Sequence, residues 1–250
     1  MCGNRKNGGI YSWKGFKEGK EVETIRVAVV CFEKDVERIK KIAEFLNADF
    51  FVYGEEPKDY DVFVYRASAG IVVRRLCESL KSKFEDPAVV VLDPTLSYAI
   101  PLLGGHEGAN EVAKRLEEIG LRAVITTSAE FEDGYSIGVG FRKNSDSAEI
   151  VKAVRAAMSE LRISEEDVKI IATALIKKKS QAFREAVKAL GIPAGFVSEI
   201  AINSMNVRSS SAIKIGLKSV AEACALYYSK YKELVMPKKV FGGVTVAVAR

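Results

Sequence analysis

The sequence predicts an α/β protein built as two layered α/β domains with mostly parallel sheets and a cleft between them. Three observations predict it. Short β-branched apolar runs alternate with amphipathic helical patterns along most of the chain. Hydrophobic residues make up 48% of the 250, enough for a real core. The two halves do not repeat one another at a fixed period, so a solenoid is not expected.

In order, IRVAVVC (25–31) reads as a buried strand, and DVERIKKIAEFL (35–46) puts Val36, Ile39, Ile42, Ala43 and Leu46 on one helical face. DFFVY (49–53) and DVFVY (61–65) read as strands, and 68–84 as a helix with Ile71, Leu76 and Leu80 at helical spacing. AVVVLD (88–93) is a strand, a turn falls at Pro94-Thr95, and the apolar 97–103 precedes the loop Gly-Gly-His-Glu-Gly (104–108). A helix over 109–120 and a strand over 122–127 follow, then the polar linker 128–134. YSIGVGF (135–141) opens the second alternation, and Asp146 to Glu149 resembles a capping box ahead of a helix through Leu161. Ser164 to Asp167 is polar N-terminal chemistry before VKIIATALI (168–176). QAFREAVKAL (181–190) is a helix stopped by Gly191 and Pro193; 194–197 is a strand, 219–231 a helix and 244–250 a closing strand. The expected division is a flexible tail over 1–24, in which Tyr11, Trp13 and Phe16 could pack as a flap, and domains over 25–132 and 133–250.

The formal charge of +5 comes from 38 basic residues interspersed with 33 acidic ones. That balance lacks a dense basic stripe and fits a small anionic ligand as readily as nucleic acid. Cys2, Cys31, Cys77 and Cys224 show no C-x-x-C spacing, so no zinc site is expected and buried free thiols are. No apolar run spans a bilayer and no secretory h-region opens the chain, so a cytoplasmic protein is expected.

His106 is the only histidine. The glycines around it permit φ > 0 and close backbone approach, and the following helix would offer its N-terminal dipole to a carboxylate or oxyanion. Imidazole titrates near neutrality, so His106 could act as base or acid with Glu107 assisting; the plain alternative is a helix-entry turn with an exposed histidine. YRASAG (65–70) is a second such loop, where Arg66 could pair with an anion and Ser68 and Gly70 expose backbone donors. Open α/β sheets bind ligands past the carboxyl ends of their strands, so neighbouring strands would turn both loops to one crevice. GVGFRKNSD (138–146) has the look of a Gly-x-Gly turn without a dinucleotide fingerprint; with Arg142 and Lys143 it reads as a small anion cradle. KKKS (177–180) reads as a solvated loop, NSMNVRSSS (203–211) as a polar loop, and no G-x-S-x-G elbow is present.

The run 70–130 resembles the amino-terminal part of the CbiG family, which acts in anaerobic cobalamin biosynthesis. The carriers are Gly70 to Arg74, Asp86 to Asp93, Leu102 to His106, Gly108 to Glu111 and Val124 to Thr127. The carboxyl-terminal half is similar to that family's last domain, shared with CobE-like proteins, through Gly138-Val139-Gly140, Arg142-Lys143, Ala172-Thr173, Leu190 to Pro193, Gly216 with Ser219 to Ala223, and Gly243 to Arg250. The chain departs from the family in lacking its middle segment, in Phe141 where a cysteine is usual, and in ALIKKKS (174–180) where acidic positions are usual.

The resemblance implies hydrolysis of the lactone of cobalt-precorrin-5A, with release of acetaldehyde, to give cobalt-precorrin-5B. It implies His106 and Glu107 as catalytic residues. Substrate would be bound by Gly104, Gly105, Gly108, Asn110, Arg66, Ser68, Gly70, Arg74, Gly138, Gly140, Arg142, Lys143 and Ser219. No cofactor and no protein metal site are implied, the cobalt being carried by the substrate. The implied partner is a polycarboxylate tetrapyrrole, with no membrane and no nucleic acid. A homodimer, transient contact with neighbouring pathway methyltransferases, and a non-catalytic tetrapyrrole carrier or scaffold stay open.

Overall fold

The computed structural model describes residues 25–56, 59–127, 129, 131–205 and 219–250. The expected tail over 1–24, with Cys2 and the aromatic flap, lies outside the described residues, as does 206–211 of the polar loop. The protein is α/β, with two mostly parallel sheets, and divides into two compact units at Thr126/Thr127.

The first unit contains β1 (Val27–Cys31), α1 (Val36–Leu46), β2 (Asp49–Val52), β3 (Val62–Arg66), α2 (Ala69–Leu76), β4 (Ala88–Leu92), β5 (Tyr98–Leu103), α3 (Ala109–Leu116) and β6 (Arg122–Ala123). Its sheet runs β2-β1-β3-β4-β5-β6. The first four strands are mutually parallel; β1, β3 and β4 are buried on both sides, hence their continuous apolar runs, and the edge strand β2 is half-buried. β5 runs antiparallel to β4, and β6 is parallel to β5. One face packs on α1 and α3 through Ile39, Ile42, Leu46, Ala113 and Leu116. The other carries Val72 and Leu76 of α2 amid Tyr60, Phe63 and Tyr65.

The second unit contains β7 (Tyr135–Phe141), α4 (Ser147–Leu161), β8 (Val168–Ala174), α5 (Gln181–Leu190), β9 (Ala194–Val197), α6 (Glu199–Ser204), α7 (Val220–Tyr228), β10 (Leu234–Phe241) and β11 (Val244–Ala249). Its sheet runs β10-β11-β7-β8-β9, with β7, β8 and β9 parallel and β11 and β10 antiparallel additions. Asp146 caps α4, accepting from the Glu149 amide, and Gly191 ends α5 at φ +67°. The Ser164–Asp167 polar run is a true capping box, but it caps one 3-10 turn that feeds β8.

Several features differ from expectation. The helix from 68 stops at Leu76, because Glu78 to Lys81 are all exposed and offer no apolar face to continue it. β6 is two residues long, pairing only with β5 at the sheet edge. β10 escaped the sequence pattern because Pro237-Lys238-Lys239 interrupt it. They sit at a register shift on an edge strand, where proline and lysine are tolerated. Cys77 is exposed, unlike buried Cys31 and Cys224, because it lies just past the end of α2. Among the described residues no helix is long and apolar enough to cross a membrane.

α7 lies directly on β7. A Cβ at Gly138 would stand 1.8 Å from the Ala221 carbonyl oxygen, and one at Gly195 would stand 2.7 Å from the Tyr228 ring. Two buried hydroxyls of this contact are satisfied: Ser136 Oγ donates to Ala225 O at 2.6 Å, and Tyr228 Oη donates to Phe196 O at 2.7 Å. Gly138→Ala is therefore expected to destabilise the fold by about 3 kcal/mol or more through overpacking against backbone, lowering the melting temperature by about 10 °C or more. A thiol reagent on the native protein should label Cys77 and spare Cys31 and Cys224. Burial pushes Cys31 up to about 11 and Cys224 well above the usual thiol range. Peptide mapping of labelled protein before and after denaturation checks this.

Candidate functional site

The loop 104–108 follows β5, and its glycines have backbone work to do. Gly104 (φ +64°) faces Ala88, where a Cβ would stand 2.8 Å from Cα; Gly108 takes φ +118° at the entry to α3. The Gly104 carbonyl accepts from both the Glu107 amide (3.0 Å) and the Ala109 amide (3.1 Å). Those two N–H groups hold the loop shut and are taken from any oxyanion role. The turn presents His106 half-buried, tucks Glu107 in at 7% exposure and buries Asn110 in the first turn of α3. Burial holds the Lys83 ammonium below the usual lysine range, while the Glu107 carboxylate pulls it up. Imidazole, carboxylate, amide and ammonium thus share one end of the sheet, with the positive end of the α3 dipole behind them.

YRASAG lies at the opposite end of that sheet. β5 is antiparallel to β4, so its carboxyl end carries His106 to the amino-terminal edge of β3 and β4, beside Val62 and Ala88. Arg66 ends β3 at the other edge, about 13 Å from Val62 along the strand. The expected single crevice for the two loops is therefore corrected by strand direction. The cause is a short reversal at 93–97. Asp93 accepts from the amides of Thr95, Ser97 and Tyr98 and from the Thr95 hydroxyl, while Leu96 takes φ +59°. Burial alone would raise the Asp93 carboxyl, but these hydrogen bonds outweigh it and hold it below the usual range.

At the carboxyl edge Arg66 is buried, its Nη1 donating to Asp35 at 2.5 Å and its Nη2 to the Pro94 carbonyl at 2.8 Å. This ties the ends of β1, β3 and β4 together in the crevice where the strand order reverses. Ser68 is exposed before α2, and Gly70 lies in its first turn with its carbonyl accepting from exposed Arg74 (3.1 Å).

In the second unit Gly138 and Gly140 lie inside β7, not in a turn as their spacing suggested. Both sit where bulk would strike neighbours, Ala221 backbone for one and Thr245 Oγ1 (2.5 Å) for the other. Arg142 and Lys143 are exposed just past β7. Ser219 is buried at the head of α7. Two residues were missed in the sequence. Glu222 is 3% exposed and its Oε1 accepts from the Lys238 amide at 3.1 Å. Its signal was the S-x-x-E spacing from Ser219, which the structure does not use as a capping box. Lys177, read as part of a solvated loop, is half-buried over the Phe141 ring. Among the described residues no three His, Cys, Asp or Glu side chains gather where they could hold a metal ion.

Comparison with known proteins matches residues 52–130 to the family model "Cobalamin synthesis G N-terminal" and 135–249 to "Cobalamin synthesis G C-terminus". A Priestia megaterium protein named cobalt-precorrin-5A hydrolase is 30% identical over 322 aligned positions, covering 87% of this chain and 86% of that one. The alignment exceeds the 250 residues of this chain, so that relative carries residues this chain lacks. A Salmonella typhimurium protein of the same name is 31% identical over 112 residues, 44% of this chain but only 32% of that protein. The solved structure of CobE, a protein from the cobalamin biosynthetic pathway, aligns at a TM-score of 0.44 and 19% identity over 48% of this chain and 92% of that one.

The buried Asp35–Arg66 pair generates a stability prediction. Arg66→Ala strands the Asp35 carboxylate, which is 6% exposed, and should cost about 3–5 kcal/mol, read as a lowered midpoint in urea.

Proposed function

The chain belongs to the cobalamin synthesis G family, and from that membership and the His106 site we propose that it hydrolyses cobalt-precorrin-5A in the cytoplasm. The single observation that carries the reading is the match of both halves to the family, together with a hydrolase relative aligned over most of both chains. A role in cobalamin biosynthesis follows from the family; the reaction and its residues are the proposal.

Water adds to the lactone carbonyl carbon as the His106 imidazole takes its proton. The acyl C–O bond breaks and the departing oxygen receives that proton, leaving a carboxylate and a hydroxyl. The new hydroxyl then loses its proton as its carbon's bond to the macrocycle breaks; the two-carbon fragment leaves as acetaldehyde, and the macrocycle carbon keeps the electron pair and takes up a proton, giving cobalt-precorrin-5B. His106 suits the proton transfer because it is half-buried yet reachable, and Glu107 lies beside it along a turn closed by the Gly104 carbonyl. The α3 N-terminus adds positive potential for the developing oxyanion, helped by Asn110 in its first turn. The substrate's acetate and propionate arms suit exposed cations such as Arg74. No resident metal is invoked, since the cobalt comes with the substrate.

One observation favours a second reading, a tetrapyrrole carrier: the Priestia relative contains residues that this chain lacks. The two readings separate in one assay. Purified protein with cobalt-precorrin-5A should release acetaldehyde, and His106→Ala should slow the release by about 10²-fold or more with the fold intact. Tight binding without acetaldehyde would establish the carrier instead. Wild-type rates in the variant would remove His106 from the proton transfer.

A further inference from the structure

β7 and β8 are adjacent and parallel, so the segments after Phe141 and Ala174 leave by the same edge. The first delivers Arg142 and Lys143; the second is the 3-10 turn Leu175–Lys177. That turn is firmly made: the Lys178 amide donates to Leu175 O and the Ser180 amide to Lys177 O, both at 2.9 Å, and Ser180 caps α5. Lys177 Nζ lies 5.0 Å from the centre of the Phe141 ring, and that ring stacks on Phe183 at 5.9 Å. The ammonium is thus half-buried on an apolar floor at a fixed place.

Arg155, Lys230, Lys239 and Arg250 each meet a carboxylate. Among the described residues Arg142, Lys143 and Lys177 meet none. What acts on Lys177 is burial first and the like charge of Lys143 second, and both hold it below the usual lysine range. An ammonium held on an apolar ring, with the like charge of a second one acting on it, raises the free energy of the folded chain unless an anion joins them. Phe141 contributes to this poise, since its ring desolvates the ammonium while attracting it from the face.

We propose that Lys177 and Lys143 form a subsite for one carboxylate arm of the polycarboxylate tetrapyrrole, with Phe141 as its apolar floor. The identity of the ligand rests on the hydrolase reading above; the cationic subsite rests on the second unit alone. It makes Lys177 a binding residue, one that neither composition nor loop polarity picks out from three consecutive lysines.

The test is titration of the full chain with uroporphyrin III, an octacarboxylate tetrapyrrole, followed by its fluorescence. Lys177→Ala should weaken binding about tenfold or more, Lys143→Ala should weaken it by a smaller factor, and Lys177→Arg should stay within about threefold of wild type. The Lys177→Ala melting temperature should be unchanged or raised, because a like-charge contact is removed. That separates lost binding from lost folding. Equal affinity of Lys177→Ala and wild type, or no binding of uroporphyrin III by wild type, overturns the subsite. The acetaldehyde assay fails independently. Lys177-dependent binding without acetaldehyde leaves the subsite standing and sinks the hydrolase reading. Acetaldehyde release with Lys177-independent binding does the reverse.

Discussion

The first unit turns on one carboxylate. Asp93 gathers three amides and a hydroxyl into the reversal between β4 and β5, and everything after that point inherits its direction. A parallel continuation would have needed a crossover of a dozen or more residues; five residues permit only an antiparallel return. That return sends the glycine loop, His106 and α3 to the amino-terminal edge of the parallel strands. The usual ligand position of such sheets, past the carboxyl ends at the point where strand order reverses, is filled instead by Arg66, Asp35 and the Pro94 carbonyl. The sheet's polar groups are therefore split between two ends, a structural clamp at one and the glycine loop with His106 at the other.

Glycine serves both units mainly as absence of bulk. Gly104 admits the Ala88 backbone, Gly138 admits the Ala221 carbonyl and Gly195 admits the Tyr228 ring. In each case the neighbour is too close for a Cβ, so the small residue fixes how near two elements lie. That distance sets where Val220 and the head of α7 stand over β7. Gly108 differs, since its φ of +118° is a backbone requirement that carries the chain from the loop into α3.

Much of this was legible beforehand. The strands at 25–31, 61–65, 88–93 and 194–197, the α4 cap at Asp146 and the α5 stop at Gly191 follow from local rules, because burial on both faces and helix-end hydrogen bonding leave a direct mark on residue type. The resemblance to the family also lay in contiguous motifs. The sequence also held the short 93–97 spacing, which implies reversal, but apolar runs on either side masked it. β10 stayed hidden because an edge strand accepts proline and lysine.

The sequence by itself determined the α/β class, most of the elements and the family, since these depend on local pattern and motif. Only the tertiary structure decided which side chains share an end of a sheet. Strand direction and pairing order set that, and neither is written in any one stretch of chain. Arg66 and His106, linked by similar loops in the sequence, lie at opposite edges. Lys143 and Lys177, separated by a helix and a strand, follow adjacent parallel strands and leave by the same edge of one sheet.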